Sequence, residues 1–324
     1  SMKQNNWKKW LVAVLVLALV MAMSACGKAE AKDADAARSA CAQMLMDHTK
    51  EPVYGSLGGD WLALGFARGD VSVSEAWFEQ YYAAVETQVK SCDGILHDRK
   101  YTEYSRVILA LTAIGKDPRD VAGFNLLVPL ADFEQTVFQG VNGPVFALLA
   151  LDSGNYEIPE NIADSTQATR EGYVEYILNA EISGGGWSLA GGTAEVDLTA
   201  MTLQALAKYQ DRADVAAAIE RGLEFLSESQ NEGGGFTSYG AQSSESVSQT
   251  IVALAELGIP LEDSRFVKKG NSLLDALLQF QQEDGSFAHL LDGERDLLST
   301  EQAFYALVAA NRMEQGESSL YRMK

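Results

Sequence analysis

Three consecutive segments in the second half of the chain follow one plan, and this internal repetition limits the folds that the chain can adopt. Each segment has an amphipathic helix pattern, a Gly-rich turn closed by an aromatic residue, a loop, and a second helix pattern rich in Ala and Leu. The segments cover residues 172–209, 221–258 and 269–312, and the aromatic positions are Trp187, Phe236 and Phe287. A unit of this kind predicts a helix pair that buries its apolar face only by stacking on a neighbour.

The turn and the second helix of each unit have recognisable chemistry. Glycines at 184–186 end the first helix and permit positive φ, and Trp187 is predicted to fold back as a plug between units. Each second helix is predicted to begin at a short polar N-cap, which accepts a hydrogen bond from a free backbone N–H. Two residues qualify in each unit: Asp197 or Thr199, Ser246 or Ser248, and Ser299 or Thr300.

Three weaker copies precede these segments, at residues 51–70, 102–118 and 140–154. Together the copies predict an all-α fold of about six helix pairs over residues 38–312. An α/α toroid, with an inner and an outer ring of helices, closes on itself and hides its ends. An open solenoid built from the same units is the structural alternative.

The second copy, RGLEFLSESQNEGGGF, resembles the glutamine–tryptophan repeat of squalene cyclases, with Phe236 in the place of Trp. Over roughly residues 51–312 the chain resembles the terpenoid cyclase and protein prenyltransferase α/α-toroid superfamily. The stretches TEYSRVILALTAIGKDP and GVNGPVFALLALDSGNYEIP are similar to bacterial extracytoplasmic proteins with prenyltransferase/squalene oxidase repeats. Those proteins are in turn similar to the α-domain of cobalamin carriers such as intrinsic factor and transcobalamin. The resemblance implies a toroid and leaves the chemistry open.

The catalytic motifs of the resembling enzymes are not matched. Squalene–hopene-type cyclases use an acid motif of the form DxDDTA, and the nearest stretch here is EVDLTA at 195–200, with only Asp197 in register. We predict that Asp197 caps a helix. The zinc site of protein prenyltransferases needs a Cys, and no Cys follows Cys92. The thioester signature GCGEQ is also missing. The sequence therefore predicts no catalytic residue, no cofactor and no metal ligand.

A toroid has a mouth where the Gly-rich turns and the N-termini of the inner helices converge, and free N–H groups lie there. Aromatic and polar side chains around such a mouth suit a bulky organic ligand or a sugar. We expect ligand contacts from Trp61, Tyr104, Trp187, Glu195, Asp197, Tyr239, Glu245, His289 and Asp292. Phe287 is expected beside them, although packing between repeats is the alternative for each of these aromatic residues and is the favoured one for Trp187 and Phe287. The loop with His289, Asp292, Glu294 and Asp296 either binds a cation, supplies an acid/base pair, or is simply solvated.

The function predicted from these features is non-catalytic binding of a small molecule, a glycan or a protein partner at the mouth. One alternative is an enzyme of the toroid superfamily, a polysaccharide lyase or hydrolase or a terpenoid cyclase-like protein. Another is a structural spacer that presents its loops to a protein partner.

The first 26 residues predict a lipoprotein signal peptide. Basic residues precede an apolar run at 11–23, which is shorter than the roughly 20 residues of a membrane-spanning helix. Met23-Ser24-Ala25-Cys26 resembles a lipobox, so Cys26 is the expected site of lipid attachment in an extracytoplasmic, membrane-anchored bacterial protein. An uncleaved anchor helix and an ordinary signal peptide are the alternatives. Residues 27–37 are expected to form a tether, and residues 313–324 a polar tail that frays.

Charge and cysteine content add two constraints. The chain has 25 basic and 45 acidic residues and a net charge of −20, which repels nucleic acid and anionic lipid headgroups. Cys41 and Cys92 would pair in an oxidising compartment if their separation allowed it, and two free thiols are the alternative.

Overall fold

The computed structural model describes residues 33–238 and 240–324. The predicted signal peptide, Cys26 and Tyr239 lie outside the described residues. The helices are α1 (33–48), α2 (Trp61–Arg68), α3 (Glu75–Ser91), α4 (Thr102–Ala113), α5 (Phe133–Val137), α6 (Asn142–Ser153), α7 (Arg170–Asn179), α8 (Val196–Leu206), α9 (Ala213–Ser229), α10 (Ser244–Leu257), α11 (Leu273–Leu278) and α12 (Leu297–Glu314). A short antiparallel hairpin pairs β1 (Thr237–Ser238) with β2 (Ala241–Gln242). Short 3-10 helices cover Val128–Ala131, Ala207–Tyr209 and Ser264–Phe266, and a tight turn covers Ser56–Asp60.

The even-numbered helices form a closed inner ring. Each packs against the next along the chain, from α2 through α4, α6, α8 and α10 to α12, and α12 packs against α2. The odd-numbered helices alternate with them along the chain and form the outer layer. The fold is therefore the predicted all-α toroid of six helix pairs, and the open solenoid is excluded because the first and last inner helices touch.

Burial follows the two layers. In α9, an outer helix, buried residues recur at helical spacing on one face, including Val215, Ile219 and Leu226. In α10, an inner helix, nearly every residue from Ser244 to Leu257 is buried, because inner helices have neighbours on all sides. None of the helices in the described part of the chain is long and apolar enough to cross a bilayer.

The predicted aromatic plugs are confirmed. Trp187 is fully buried, and its indole Nε1 donates a hydrogen bond to the carbonyl oxygen of Ile177 at 2.8 Å. Its backbone N–H donates to Thr199 Oγ1 at 3.0 Å, and in the last repeat Phe287 N–H donates to Thr300 Oγ1 at 2.9 Å. These threonines therefore fix the plug of their own repeat to the following inner helix.

The predicted N-caps are wrong. The residues that directly precede these inner helices are Glu195, Ser243 and Asp296, and the predicted pairs lie two to five residues further along, inside the helices. Ser243 and Asp296 accept hydrogen bonds from backbone N–H groups, as N-caps do, whereas the Glu195 side chain caps nothing. The sequence therefore predicts the start of each of these helices about one helical turn too far along the chain.

The sequence predicts that the C-terminal segment frays, but in the structure the segment packs against the toroid. Leu320 and Tyr321 are buried, and the segment crosses the ends of inner helices that surround the toroid axis. Arg68 at the end of α2 donates to the carbonyl oxygen of Leu320 at 3.2 Å, and Glu256 near the end of α10 accepts from Tyr321 N–H at 3.1 Å. Met323 N–H reaches the carbonyl oxygen of Ser153, the last residue of α6. The segment therefore closes the end of the toroid at which the inner helices finish. At the other end of the chain, residues 33–37, predicted as tether, belong to α1.

Repeat turns seat against the following outer helix through glycines that leave no room for a side chain. A Cβ on Gly185 would lie 2.7 Å from the carbonyl oxygen of Arg221 in α9, and one on Gly285 would lie 2.5 Å from that of Ala40 in α1. The contact between Gly285 and α1 joins the last repeat to the first.

We expect Gly285→Ala to lower the free energy of unfolding by about 2–4 kcal/mol, because it adds a backbone clash to the strain of an alanine at φ +88°. Gly191→Ala is the matched control, since Gly191 also has positive φ (+75°) but faces open space, and it should cost about 1 kcal/mol. Chemical denaturation of both variants measures the difference. Equal losses would show that the closing contact contributes nothing.

Candidate functional site

The N-termini of α8, α10 and α12 bring together a set of polar side chains that we call the acidic rim: Asp197, Glu245, Asp296, His289, Ser246 and Ser299. These residues come from consecutive repeats whose inner helices all begin at the same end of the toroid. Hydrogen bonds join them across the repeat boundaries. The predicted convergence of polar residues at the mouth is thus present for Asp197, Glu245 and His289.

The sequence predicts that Asp197 caps its own helix, but Asp197 does not do so. It lies in the first turn of α8, and Ser246 of α10 donates a hydrogen bond to its Oδ1 at 2.6 Å. Burial raises the pKa of the Asp197 carboxyl, and the hydrogen bond from Ser246 opposes that change. The charges of Glu245 and Glu195 also favour the protonated acid. Asp197 is therefore biased toward holding a proton in a site that solvent reaches.

Glu245 links the other members of the rim. Its Oε2 lies 2.8 Å from His289 Nδ1, and its Oε1 accepts a hydrogen bond from Ser299. Ser299 also donates to Asp296, the N-cap of α12. The Glu245 side chain is mostly buried and that of His289 mostly exposed, so the pair reaches from the protein into solvent.

Below the rim, three aromatic rings from different inner helices meet near the toroid axis. Trp61 of α2 lies with its ring centroid 6.0 Å from that of Phe146 in α6 and 5.8 Å from that of Tyr305 in α12. Because α2 and α6 are separated by α4 in the inner ring, the contact of Trp61 with Phe146 crosses the inside of the toroid. We call these three residues the axial aromatic cluster. Trp61 and Phe146 are only partly buried.

Polar side chains continue along the axis beside this cluster. Gln249 of α10 donates to Tyr305 Oη at 2.6 Å and to Gln302 Oε1 at 2.9 Å, and Gln204 of α8 donates to Gln249 Oε1 at 3.0 Å. The inner surface of the toroid therefore has an aromatic side on α2, α6 and α12 and an amide-rich side on α8 and α10.

Several residues predicted at the mouth lie elsewhere. Tyr104 is buried and donates a hydrogen bond to the carbonyl oxygen of His97, and Trp187 and Phe287 are buried plugs. For these residues the prediction of ligand contact is wrong, because packing between repeats takes up the rings. Glu195 and Asp292, by contrast, are exposed in the loops that lead into α8 and α12, on the same face as the rim, and Glu195 accepts a hydrogen bond from Leu189 N–H.

Glu301 is a buried acid that sequence reasoning missed. It lies one turn before Tyr305 in α12, its Oε1 accepts from Gly58 N–H at 2.8 Å, and its Oε2 is buried without a hydrogen-bond partner. Burial, with a smaller contribution from the charge of Asp60, raises the pKa of Glu301 to about 8. Asp60 itself is fully paired, with Tyr81 Oη at 2.6 Å and Arg106 Nε at 2.5 Å. The sequence of an Ala- and Leu-rich helix does not show which of its faces is buried. Only the packing of the inner ring places the face that carries Glu301 in the interior.

Cys41 and Cys92 are free thiols and do not form a disulfide. Cys41 is buried in α1 with its Sγ directed at the carbonyl oxygen of Thr300, and Cys92 follows α3 with its Sγ directed at that of Val89. Within residues 33–238 and 240–324, no three His, Cys, Asp or Glu side chains are grouped so that they could hold a metal ion.

Two surface depressions lie away from the acidic rim, one of about 430 Å³ at residues 157–158 and 167–170 and one of about 90 Å³ around Tyr156.

We expect Glu301→Gln to remove a pH-dependent loss of stability. The unfolded chain releases this proton near pH 4.5 and the folded chain near pH 8, so the free energy of unfolding falls as pH rises between these values. The neutral amide should abolish this decline, which we put at roughly 2–4 kcal/mol. Chemical denaturation at pH 5 and pH 8.5 measures it, with Glu228→Gln on the exposed face of α9 as control. A wild-type decline that persists in Glu301→Gln would contradict the assignment.

Comparison with solved structures gives the same architecture at low sequence identity. A type II terpene cyclase, MstE from Scytonema, in complex with the substrate geranylgeranyl dihydroxybenzoate, aligns with a TM-score of 0.63 at 12% identity over 88% of this chain and 99% of that chain. An unsaturated glucuronyl hydrolase from Bacillus sp. GL1, responsible for the degradation of glycosaminoglycan, aligns with a TM-score of 0.58 at 10% identity over 90% and 99%. A protein from Actinoplanes aligns with a TM-score of 0.55 at 15% identity over 87% and 99%. These likenesses establish the fold alone.

Curated protein sequences gave no match. The family model of the prenyltransferase alpha-alpha toroid domain matches residues 143–239 and 199–319, which together cover more than half of the chain. The matched region contains the three strongest repeats, their plugs and the acidic rim. On this evidence from sequence and fold, the chain belongs to the prenyltransferase alpha-alpha toroid domain family.

Proposed function

We propose that the toroid binds a hydroxyl-rich small molecule, in particular a glycan, between the acidic rim and the axial aromatic cluster. The observation that carries this proposal is the contact of Trp61 with Phe146 across the inside of the ring. It presents partly exposed aromatic faces in the interior, while the rim supplies carboxylate and imidazole groups that accept or donate hydrogen bonds. Binding sites for small organic molecules combine apolar faces with a few placed polar groups in this way.

The polar surroundings favour a sugar over a terpenoid. Gln249, Gln302 and Tyr305 form hydrogen bonds with one another beside the aromatic rings, and sugar hydroxyl groups, which both donate and accept, suit a site bordered by such a network. The glucuronyl hydrolase that shares this fold acts in the degradation of glycosaminoglycan, which supports the choice of a glycan.

Catalysis on the bound glycan is the second candidate function, and the environment of Asp197 favours it. Burial raises the pKa of Asp197, which favours the protonated form that a general acid needs, and the neighbouring Glu245 carries a second carboxyl group of the rim. Hydrolysis of a glycosidic bond uses two carboxyl groups, one that donates a proton and one that serves as base or nucleophile. The reaction would therefore take Asp197 as general acid and Glu245 as its partner.

We expect a panel of neutral and unsaturated uronic oligosaccharides, examined by native mass spectrometry and calorimetry, to contain at least one that binds. Trp61→Ala should weaken that binding about tenfold, or ~1.4 kcal/mol. Tyr176→Ala, which removes a partly buried ring from the outer helix α7, should leave the affinity within about twofold.

Asp197→Asn separates the two candidate functions. If the site only binds, the variant should keep its affinity and no product should form with either protein. If the site is catalytic, product formation should fall by about a hundredfold or more while binding persists. Failure of every sugar to bind, or equal effects of Trp61→Ala and Tyr176→Ala, would refute the glycan proposal.

We also propose that lipid on Cys26 holds the chain at the outer face of a cytoplasmic membrane. The support is the sequence of the first 26 residues: a basic start, an apolar run and a lipobox-like Met23-Ser24-Ala25-Cys26. Cys26→Ser should move the protein from the membrane fraction to the soluble fraction, and intact mass should show the loss of the acyl chains. A wild-type protein without acyl chains would overturn the proposal.

A further inference from the structure

Exposed apolar side chains are concentrated on one face of the toroid. Of the eight large apolar side chains that are exposed in the described part of the chain, seven lie in the loops that lead into the inner helices or in the first turn of α12. We call these seven the apolar ring: Val53, Leu57, Ile95, Phe138, Leu189, Leu290 and Leu298. The eighth, Ile162, lies in the loop from α6 to α7, at the opposite face. Single exposed apolar residues are ordinary, but their restriction to one face is not.

Contacts between neighbouring loops show that the ring residues on its α4 to α8 side lie on adjacent loops. The guanidinium of Arg99 lies 5.6 Å from the ring centroid of Phe138, and a Cβ on Gly140 would lie 3.8 Å from the carbonyl oxygen of Leu189. The loops that carry Ile95, Phe138 and Leu189 therefore stand side by side.

The remaining loops are joined in the same way. Leu290 pairs with Ser243 in an isolated β-bridge beside the rim, and Gly58 N–H donates to Glu301 near the start of α12. Leu57 and Leu298 are thus brought to the same end of the toroid as Leu290. The apolar ring and the acidic rim therefore lie on the same face of the toroid.

The charge around the rim on this face is negative. Glu195, Asp292 and Glu294 are exposed around the rim carboxyls, and the cationic Arg295 lies 3.4 Å from Asp284. A complementary surface would carry a cation opposite the rim and apolar groups beside it, because interfaces match potentials as well as shape. An anionic lipid surface is a poor match, since the face and the chain as a whole are acidic.

We infer that the apolar ring is a docking surface for a protein segment that presents Lys or Arg between apolar side chains, with the cation entering the acidic rim. This inference shares the acidic rim with the glycan proposal but rests on a different observation, the exposed apolar side chains of the loops on this face. The occupant buries the ring residues, and its cation pairs with Glu245. Binding should therefore weaken as salt concentration rises.

The test uses a random peptide library displayed on phage and selected on the full chain, with counter-selection on the double variant Leu189→Ser/Leu290→Ser. Enriched peptides should carry Arg or Lys with apolar neighbours. The strongest peptide is then titrated by fluorescence anisotropy. Leu189→Ser/Leu290→Ser should weaken it at least tenfold, and replacement of its basic residues by Gln should do the same. Ile162→Ser, the matched control at the other face, should change the affinity less than twofold.

Three results would overturn the inference: enrichment of peptides without basic residues, no enrichment at all, or equal effects of Ile162→Ser and the double variant on the affinity. Binding of the wild-type chain to phosphatidylcholine vesicles with phosphatidylglycerol, abolished by Leu189→Ser/Leu290→Ser, would identify a membrane as the occupant instead. Thermal unfolding of each variant checks that it is folded.

Discussion

The toroid depends on the contact that joins its last repeat to its first. Gly285 seats its turn against the backbone of Ala40 in α1 at a distance that no side chain would allow, and α12 packs against α2. Inner helices such as α10 are buried on every side, so an open end would expose apolar surface at a cost of about 25 cal/mol per Å². Ring closure removes both open ends at once, which is why the six pairs form one core.

Closure also creates the site. All six inner helices begin at one end of the ring, so the polar residues of their first turns meet there, and hydrogen bonds such as that from Ser246 to Asp197 cross the repeat boundaries. At the other end the helices finish, and the buried Leu320 and Tyr321 close the axis. The two faces therefore differ in chemistry: one is polar and acidic and carries exposed apolar side chains in its loops, and the other is sealed by the chain itself.

The repeat pattern was sufficient to predict the plugs, because an aromatic residue after a Gly-rich turn has one place to go in a stacked helix pair. Trp187 and Phe287 occupy that place. The sequence also allowed these residues to contact a ligand at the mouth, since position along the chain does not say whether a ring faces the axis or the gap between repeats. The prediction of ligand contact for Tyr104 is wrong for this reason. For the same reason the sequence does not identify Phe146 and Tyr305 as rings near the axis.

The sequence by itself determined the all-α class, the number of helix pairs, their stacking and the meeting of Asp197, Glu245 and His289 at one end. These follow from periodicity and from the order of turn and helix, which are local properties. Only the tertiary structure decided that the ring closes, that Glu301 is buried with an unpaired oxygen, and that Trp61 meets Phe146 across the axis. Those features depend on the rotation of each inner helix about its own axis. That rotation is set by neighbours more than a hundred residues away in sequence, as α12 is for α2.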